Sequence, residues 1–279
     1  MDLDSDGNLD LLSGSYSRQS EDMAGLFQVL WGEKGGLFRP AKALSGSDGK
    51  ELLMPPGDSD DVDVDRICTR PFAADLDGDG KLDIVSGNFA GTFAFFRGEG
   101  AGKFAPAASW LEAEGKRLSV PAHGDPFLID WDGDGDLDLL SGSAQGGAFL
   151  FVNAGTRTEP RFGARKTLVE PAGHESESDD LGDAHLKGPG SSTRVWSDDL
   201  NGDGKLDLLL GDNVTLYHAA QGVEASVAKA KLGEWRAALA ELEEQQSDDF
   251  SDRYGKLEKA RDVFVKEDRT GFVWVLYRK

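Results

Sequence analysis

The chain reads as an all-β protein of the β-propeller kind, with about four recognisable blades and a helical hairpin inserted in the last of them. Three observations predict this. An Asp-rich segment recurs four times, a strand-like segment follows every copy, and a block of helix formers interrupts only the fourth unit.

The Asp-rich segments align without gaps. They are DLDSDGNLDLLSG from Asp2, DLDGDGKLDIVSG from Asp75, DWDGDGDLDLLSG from Asp130 and DLNGDGKLDLLLG from Asp199, with starts 73, 55 and 69 residues apart. Such a repeat is too long for most solenoids and suits a four-stranded blade with its loops. The segments that follow are GLFQVLWG from Gly25, GTFAFFRG from Gly91, GAFLFVNAG from Gly147 and GFVWVLYRK from Gly271. All are aromatic and β-branched without a helical period, so they read as strands. GLFRPAKAL, GKFAPAASW and RFGARKTL supply a further strand, and residues 71–74, 126–129 and 194–196, just ahead of three of the motifs, supply another. No such run precedes Asp2, so the chain is expected to be a piece of a longer protein.

Residues 1–222 are thus assigned to blades, 223–266 to a helical hairpin and 267–279 to a final strand that returns to the last blade. In the hairpin, Val227, Trp235, Leu239 and Leu242 fall near one face, and Phe250, Tyr254, Leu257 and Phe264 near another. Ser247, Asp248 and Asp249 offer N-caps for its second helix. The acidic, turn-rich stretches 46–65 and 171–192 read as surface insertions.

Composition narrows the function. With 51 acidic against 30 basic residues the net charge is -21. That balance argues against a nucleic-acid partner, which needs basic patches, and favours cations. No apolar run approaches the ~18 residues of a membrane span. The single cysteine, Cys68, excludes an intramolecular disulfide and reads as buried packing. The histidines His123, His174, His185 and His218 show no metal or triad spacing.

The placement of the aspartates points to calcium. Positions one, three, five and nine of the motif carry Asp2, Asp4, Asp6 and Asp10; Asp75, Asp77, Asp79 and Asp83; Asp130, Asp132, Asp134 and Asp138; and Asp199, Asn201, Asp203 and Asp207. Carboxylates so close in sequence repel one another without a cation among them. Glycines at positions four and six, with Ser5 in place of the first one in copy one, let the backbone curl through φ > 0 and turn alternate side chains inward. Position seven (Asn8, Lys81, Asp136 and Lys205) is expected to add its backbone carbonyl, leaving the Lys81 side chain to solvent. Calcium takes six to eight oxygens in flexible geometry, whereas magnesium demands a rigid octahedron and zinc or copper would want His or Cys. Position twelve is Ser13, Ser86, Ser141 or Leu210 and strand-like residues follow, which excludes an EF-hand with its Glu at twelve. About four Ca2+ ions are expected, the one at Asn201 held more weakly.

The phrase D-x-D-G-D-G-x-x-D, followed by two aliphatics, a small residue and Gly, resembles the FG-GAP or VCBS repeat found in integrin α subunits and in secreted bacterial proteins. The resemblance covers most of residues 1–222 and the last strand. It implies propeller blades, calcium in the four Asp/Asn sets, and an extracellular or cell-surface module that binds a protein or carbohydrate ligand. Integrin-type propellers have seven blades where four motifs stand here, Phe162-Gly163 is at most a remnant of the FG-GAP phrase, and the hairpin is foreign to the repeat. The expected function is a calcium-stabilised binding module, with Tyr16 and Phe89 as candidate contacts. The alternative is a propeller-based polysaccharide lyase or hydrolase, whose paired carboxylates need no local motif.

Overall fold

The computed structural model describes residues 1–16, 25–56, 64–171, 180–245 and 249–279. The strands form four consecutive antiparallel blades. Blade one holds β1 (Leu11–Ser13), β2 (Gln28–Leu30) and β3 (Lys42–Ala43). Blade two holds β4 (Arg70–Ala74), β5 (Asp83–Gly87), β6 (Phe93–Phe96) and β7 (Ser109–Trp110). Blade three holds β8 (Asp125–Ile129), β9 (Asp138–Gly142), β10 (Ala148–Phe151) and β11 (Lys166–Val169). Blade four holds β12 (Ser191–Asp198), β13 (Asp207–Ala219), β14 (Val265–Thr270) and β15 (Val273–Leu276). The Asp segments form the turns between β4 and β5, β8 and β9, and β12 and β13, at one end of the blades.

Side chains alternate across a strand, so successive motif residues face opposite neighbours. Position ten faces the preceding blade and position eleven the following one. In blade two, Ile84 packs with Phe27, Val29 and Met54, whereas Val85 packs with Leu128, Leu139 and Phe149. In blade three, Leu139 joins that second cluster and Leu140 packs with Leu208 and Leu210 of blade four. Three apolar seams therefore join the four blades.

The glycine at position thirteen has a seam function that sequence reasoning missed. A Cβ on Gly14, Gly87 or Gly142 would run into the backbone carbonyl oxygen of Thr69, Gly124 or Thr193, the first two just ahead of the next blade's first strand and the third near its start. Backbone bonds cross here too: Thr69 N–H donates to Ser15 O (2.9 Å), Gly124 N–H to Asn88 O (3.0 Å) and Thr193 N–H to Ser143 O (2.9 Å).

β13 outgrows its blade. Its first half pairs with β12 and β15, and its second half pairs with β14 as a ribbon. The ribbon carries α1 (Ala225–Gln245) and α2 (Phe250–Arg261), a hairpin within the expected span. Its inward stripe is buried Ala228 and Leu232 with half-buried Trp235, packed on Tyr217, Val265 and Phe264. Val227, expected on that stripe, is 45% exposed, because the helix turns Ala228 inward instead. Ser247 and Asp248 lie outside the described residues. Asp249 is the N-cap but makes no side-chain cap bond, and its carboxylate lies 4.0 Å from Arg253. Arg261 is buried between the Tyr217 and Trp235 rings and pairs with Glu267 at 3.0 Å.

The stretch 46–65 is only partly a surface insertion. Leu52 and Met54 fill the first seam, and buried Asp65 accepts from Asn88 Nδ2 (3.0 Å) and Thr92 Oγ1 (2.8 Å) and pairs with Arg117 (3.4 Å). Residues 57–63, and 172–179 within the second acidic stretch, lie outside the described residues. Cys68 is buried, as expected, with φ +60°.

Candidate metal centres

All four Asp loops share one backbone course. Positions four and six have positive φ throughout: Gly78 +66° and Gly80 +84° in the second loop, and Ser5 +61° and Gly7 +89° in the first. Ser5 thus adopts the conformation that glycine holds in the other copies, at a steric cost glycine avoids.

The carboxylates divide into two jobs. Position one gathers the amides of its own loop. Asp130 accepts from Gly133 (2.8 Å), Asp134 (3.1 Å) and Gly135 (3.0 Å), and Asp199 from Gly202 (2.8 Å), Asp203 (3.0 Å) and Gly204 (2.9 Å). Asp2 receives Asp6 and Gly7, and Asp75 receives Gly80. At position five, Asp6, Asp79, Asp134 and Asp203 each accept the amide of position seven, closing a turn around Asn8, Lys81, Asp136 and Lys205.

Position nine is buried and ties the blade together. Asp10 receives the amides of Leu3 and Gly32, both at 2.7 Å. Asp83 receives Leu76 (2.9 Å) and Gly98 (2.7 Å), Asp138 receives Trp131 (2.9 Å) and Asn153 (2.7 Å), and Asp207 receives Leu200 (3.2 Å) and Arg278 (2.9 Å). One oxygen holds the loop and the other the residue just beyond the third strand. A carboxylate oxygen that accepts one hydrogen bond keeps a second lone pair, so the same group remains a possible ligand.

Among the described residues, three groups bring carboxylate oxygens within 4.8 Å of one another: Asp2, Asp4 and Asp6; Asp75, Asp77 and Asp83; and Asp130, Asp132 and Asp138. In the fourth loop, Asn201 Oδ1 accepts the Asp203 amide at 2.8 Å. Two oxygens in these loops, Asp75 Oδ1 and Asp136 Oδ1, are buried without a hydrogen-bond partner. Orphaned buried carboxylate oxygens in an all-oxygen cluster are what a hard divalent cation would satisfy, so the residues present fit calcium. Asp136 adds something the sequence reading missed: its side chain is buried, the residue only 6% exposed.

Electrostatics agree with crowding of like charge. Burial pushes Asp83 up to about 6, with Asp77 adding repulsion. Burial does the same to Asp136, to about 6, helped by Asp134 and Asp138. Asp138 and Asp4 are also raised, chiefly by burial. The second loop has protein cations of its own. Lys81 Nζ lies 3.0 Å from Asp79, Arg97 Nε 2.8 Å from Asp77, and Arg157 Nη2 3.4 Å from Asp75. Lys81 therefore folds back onto its loop, because the Asp79 carboxylate lies within reach. Its hydrogen bond holds the Asp79 carboxyl below its usual range. Arg97 and Arg157 carried no signal in the motif itself.

At the other end of the blades, Arg194 Nε pairs with Asp125 at 3.0 Å, and the Phe89 ring lies 4.3 Å from that of His123. Tyr16 is 68% exposed there and Phe89 37%.

Successive antiparallel blades, each turning on the same Asp loop, define a propeller-type repeat protein. Residues 75–141 match the FG-GAP-like repeat family, and the second and third Asp loops with the blade between them are repeats of that kind. No curated protein matches the sequence. Among solved structures, a chain of the Tc holotoxin pore of Photorhabdus luminescens is similar at 16% identity and a TM-score of 0.36, over 78% of this chain. The chain spans about a tenth of that protein's length, 10%.

Proposed function

We propose that this chain is a calcium-binding, extracellular or cell-surface propeller module in which calcium is structural and the blade end opposite the Asp loops meets a protein or carbohydrate ligand. The observation that carries this reading is the orphaned oxygen Asp75 Oδ1 inside the Asp75, Asp77 and Asp83 cluster, beside a second orphaned oxygen, Asp136 Oδ1, in the loop of the Asp130, Asp132 and Asp138 cluster. Calcium would be held by the carboxylates at positions one, three, five and nine, with the carbonyl at position seven. It would neutralise their repulsion and couple ion binding to folding. The extracellular setting follows from supply, since sites of about 10⁻⁴–10⁻³ M affinity fill only where calcium is millimolar. Among the described residues the carboxylates with raised pKa lie in the Asp loops, except Asp125, which Arg194 pairs. That distribution favours binding over acid–base catalysis. No helix among the described residues is long and apolar enough to cross a membrane.

The test is thermal unfolding from chelator to millimolar calcium, beside calorimetric stoichiometry. A melting temperature that climbs with three to four ions bound supports the reading. An unchanged melting temperature with no heat of binding rejects it.

A further inference from the structure

The fourth Asp loop carries a chemistry that its three counterparts lack. Its position three is Asn201, followed by Gly202. The other asparagines, Asn8, Asn88, Asn153 and Asn213, precede Leu9, Phe89, Ala154 and Val214. An asparagine side-chain carbonyl is an electrophile for the backbone nitrogen of the next residue, and a side chain on that residue obstructs the approach. Gly202 has none, and the space where its Cβ would stand is empty to 4 Å. In the second loop the same space, at Gly78, is taken by Arg157. Asn88 and Asn153 are buried, whereas Asn201 is exposed to water.

The loop's hydrogen bonds fall on the atoms that would react. Gly202 N–H, the nucleophile, donates to Asp199 Oδ1 at 2.8 Å. At that distance a carboxylate can take a proton. Asn201 Oδ1, where negative charge develops, accepts the Asp203 amide at 2.8 Å. A backbone amide aimed at a developing oxyanion stabilises it, as in acyl transfer. Asn201 Nδ2, the leaving group, donates to Asp203 Oδ2 at 3.4 Å. In the other loops position three is Asp4, Asp77 or Asp132, and an ionised carboxylate is a poor electrophile.

We propose that Asn201–Gly202 is a self-modification site, at which the fourth loop converts its neutral position-three side chain into a carboxylate. Gly202 N attacks Asn201 Cγ, and Asp199 accepts the proton. The Cγ–Nδ2 bond breaks, and the amide nitrogen leaves as ammonia with that proton. One water then opens the five-membered imide. Opening at Cγ gives aspartate on an unchanged backbone, and opening at the backbone carbonyl gives isoaspartate, whose main chain is a methylene longer. Aspartate completes the four-carboxylate set of the other loops, and a higher ligand charge tightens calcium binding. Isoaspartate displaces the loop and weakens it. Calcium on the Asp199 and Asn201 oxygens would occupy the proton acceptor and hold the electrophile, so a filled loop is protected; this arm alone rests on the calcium reading.

The experiment incubates the full chain near neutral pH in chelator, in millimolar calcium, and unfolded in urea. Peptide mapping by mass spectrometry follows the gain of one dalton at Asn201, and electron-transfer fragmentation separates aspartate from isoaspartate. The folded chain in chelator should convert Asn201 severalfold faster than the unfolded chain, and Asp199→Ser should remove that advantage. Calcium should slow the conversion at least tenfold. Asn201→Asp, the aspartate product itself, should raise the affinity of the weakest calcium site severalfold in calorimetry. A folded rate equal to or below the unfolded rate overturns the inference. So does an Asp199→Ser protein that is folded by circular dichroism yet converts at the parent's rate. Conversion that proceeds in chelator while calorimetry detects no calcium supports the modification site and rejects only the calcium reading.

Discussion

The dual role of the buried position-nine carboxylate is tested most sharply by Asp138→Asn beside Asp132→Asn. Asp138 is 1% exposed and receives two backbone amides, Trp131 on one oxygen and Asn153 on the other. Asn can accept only one of them and turns its own NH2 toward the second donor. The change removes a charge-assisted hydrogen bond, worth about 1.5–3 kcal/mol, and leaves a buried amide unpaired at about 1–3 kcal/mol. Removing the buried charge, whose burial raises the Asp138 pKa, returns part of that. The net loss is roughly 2–4 kcal/mol, which in a chain of this size lowers the melting temperature by roughly 3–7 °C. Asp132 is exposed, so its substitution should leave the calcium-free protein within about 0.5 kcal/mol. In the presence of calcium both variants should lose part of the calcium-dependent rise. Differential scanning calorimetry in chelator and in millimolar calcium separates the two effects. Equal calcium-free melting temperatures for Asp138→Asn and the parent would refute the claim that position nine ties the blade together.

Asp83 and Asp136 have folded-state pKa values raised from 3.8 to about 6, so their ionisation opposes folding. In chelator the protein should therefore grow more stable as pH falls from above 6 toward 4, by up to about 3 kcal/mol from Asp83 alone. Protons and calcium compete for these groups, so calcium affinity should fall over the same window; calorimetric titrations at pH 7.5 and 5.0 measure it. Gly142→Ala drives a methyl into the Thr193 carbonyl and should destabilise by about 1–3 kcal/mol, read as a shift in denaturant midpoint. Arg97→Ala removes a cation that already neutralises Asp77 and Asp79, so calcium binding at the second loop should tighten, seen as a higher-affinity first phase on titration.

The blades were legible because their signals are local and repeated. A gapless motif fixes the turn, and alternation after it fixes which leucine faces which neighbour, so β5, β9 and β13 fall where the Asp loops predict. The glycines at positions four and six showed their reason in sequence, since tight curling needs φ > 0. The glycine at position thirteen did not, because its reason lies in a carbonyl more than thirty residues ahead in the chain. Arg97 and Arg157 were hidden for the same cause: only the folded blade brings them to Asp77 and Asp75. The Val227 error came from assigning a face by period alone, when the ribbon of Tyr217 and Val265 decides which stripe is buried. Leu52 and Met54 lay unseen in a stretch whose overall polarity suggested solvent.

The Asp repeat thus serves two ends of one physical problem. Positions one, three and five sit at the solvent edge, where their turns need only local amides. Position nine carries its charge into the blade, where it satisfies two amides that no strand partner reaches. At Asp83 and Asp138 burying that charge raises its proton affinity, and the carboxylates gathered around them add to the cost. In the second loop Arg97, Arg157 and Lys81 offset the repulsion from within the protein. In the third loop five aspartates crowd together with no such cation among the described residues, and Asp136 Oδ1, like Asp75 Oδ1 in the second, is left buried and unpaired. The third loop therefore has the greater need of a bound cation. Of these two loops, the fold gains more from an ion in the third, where no basic side chain among the described residues pairs with the carboxylates.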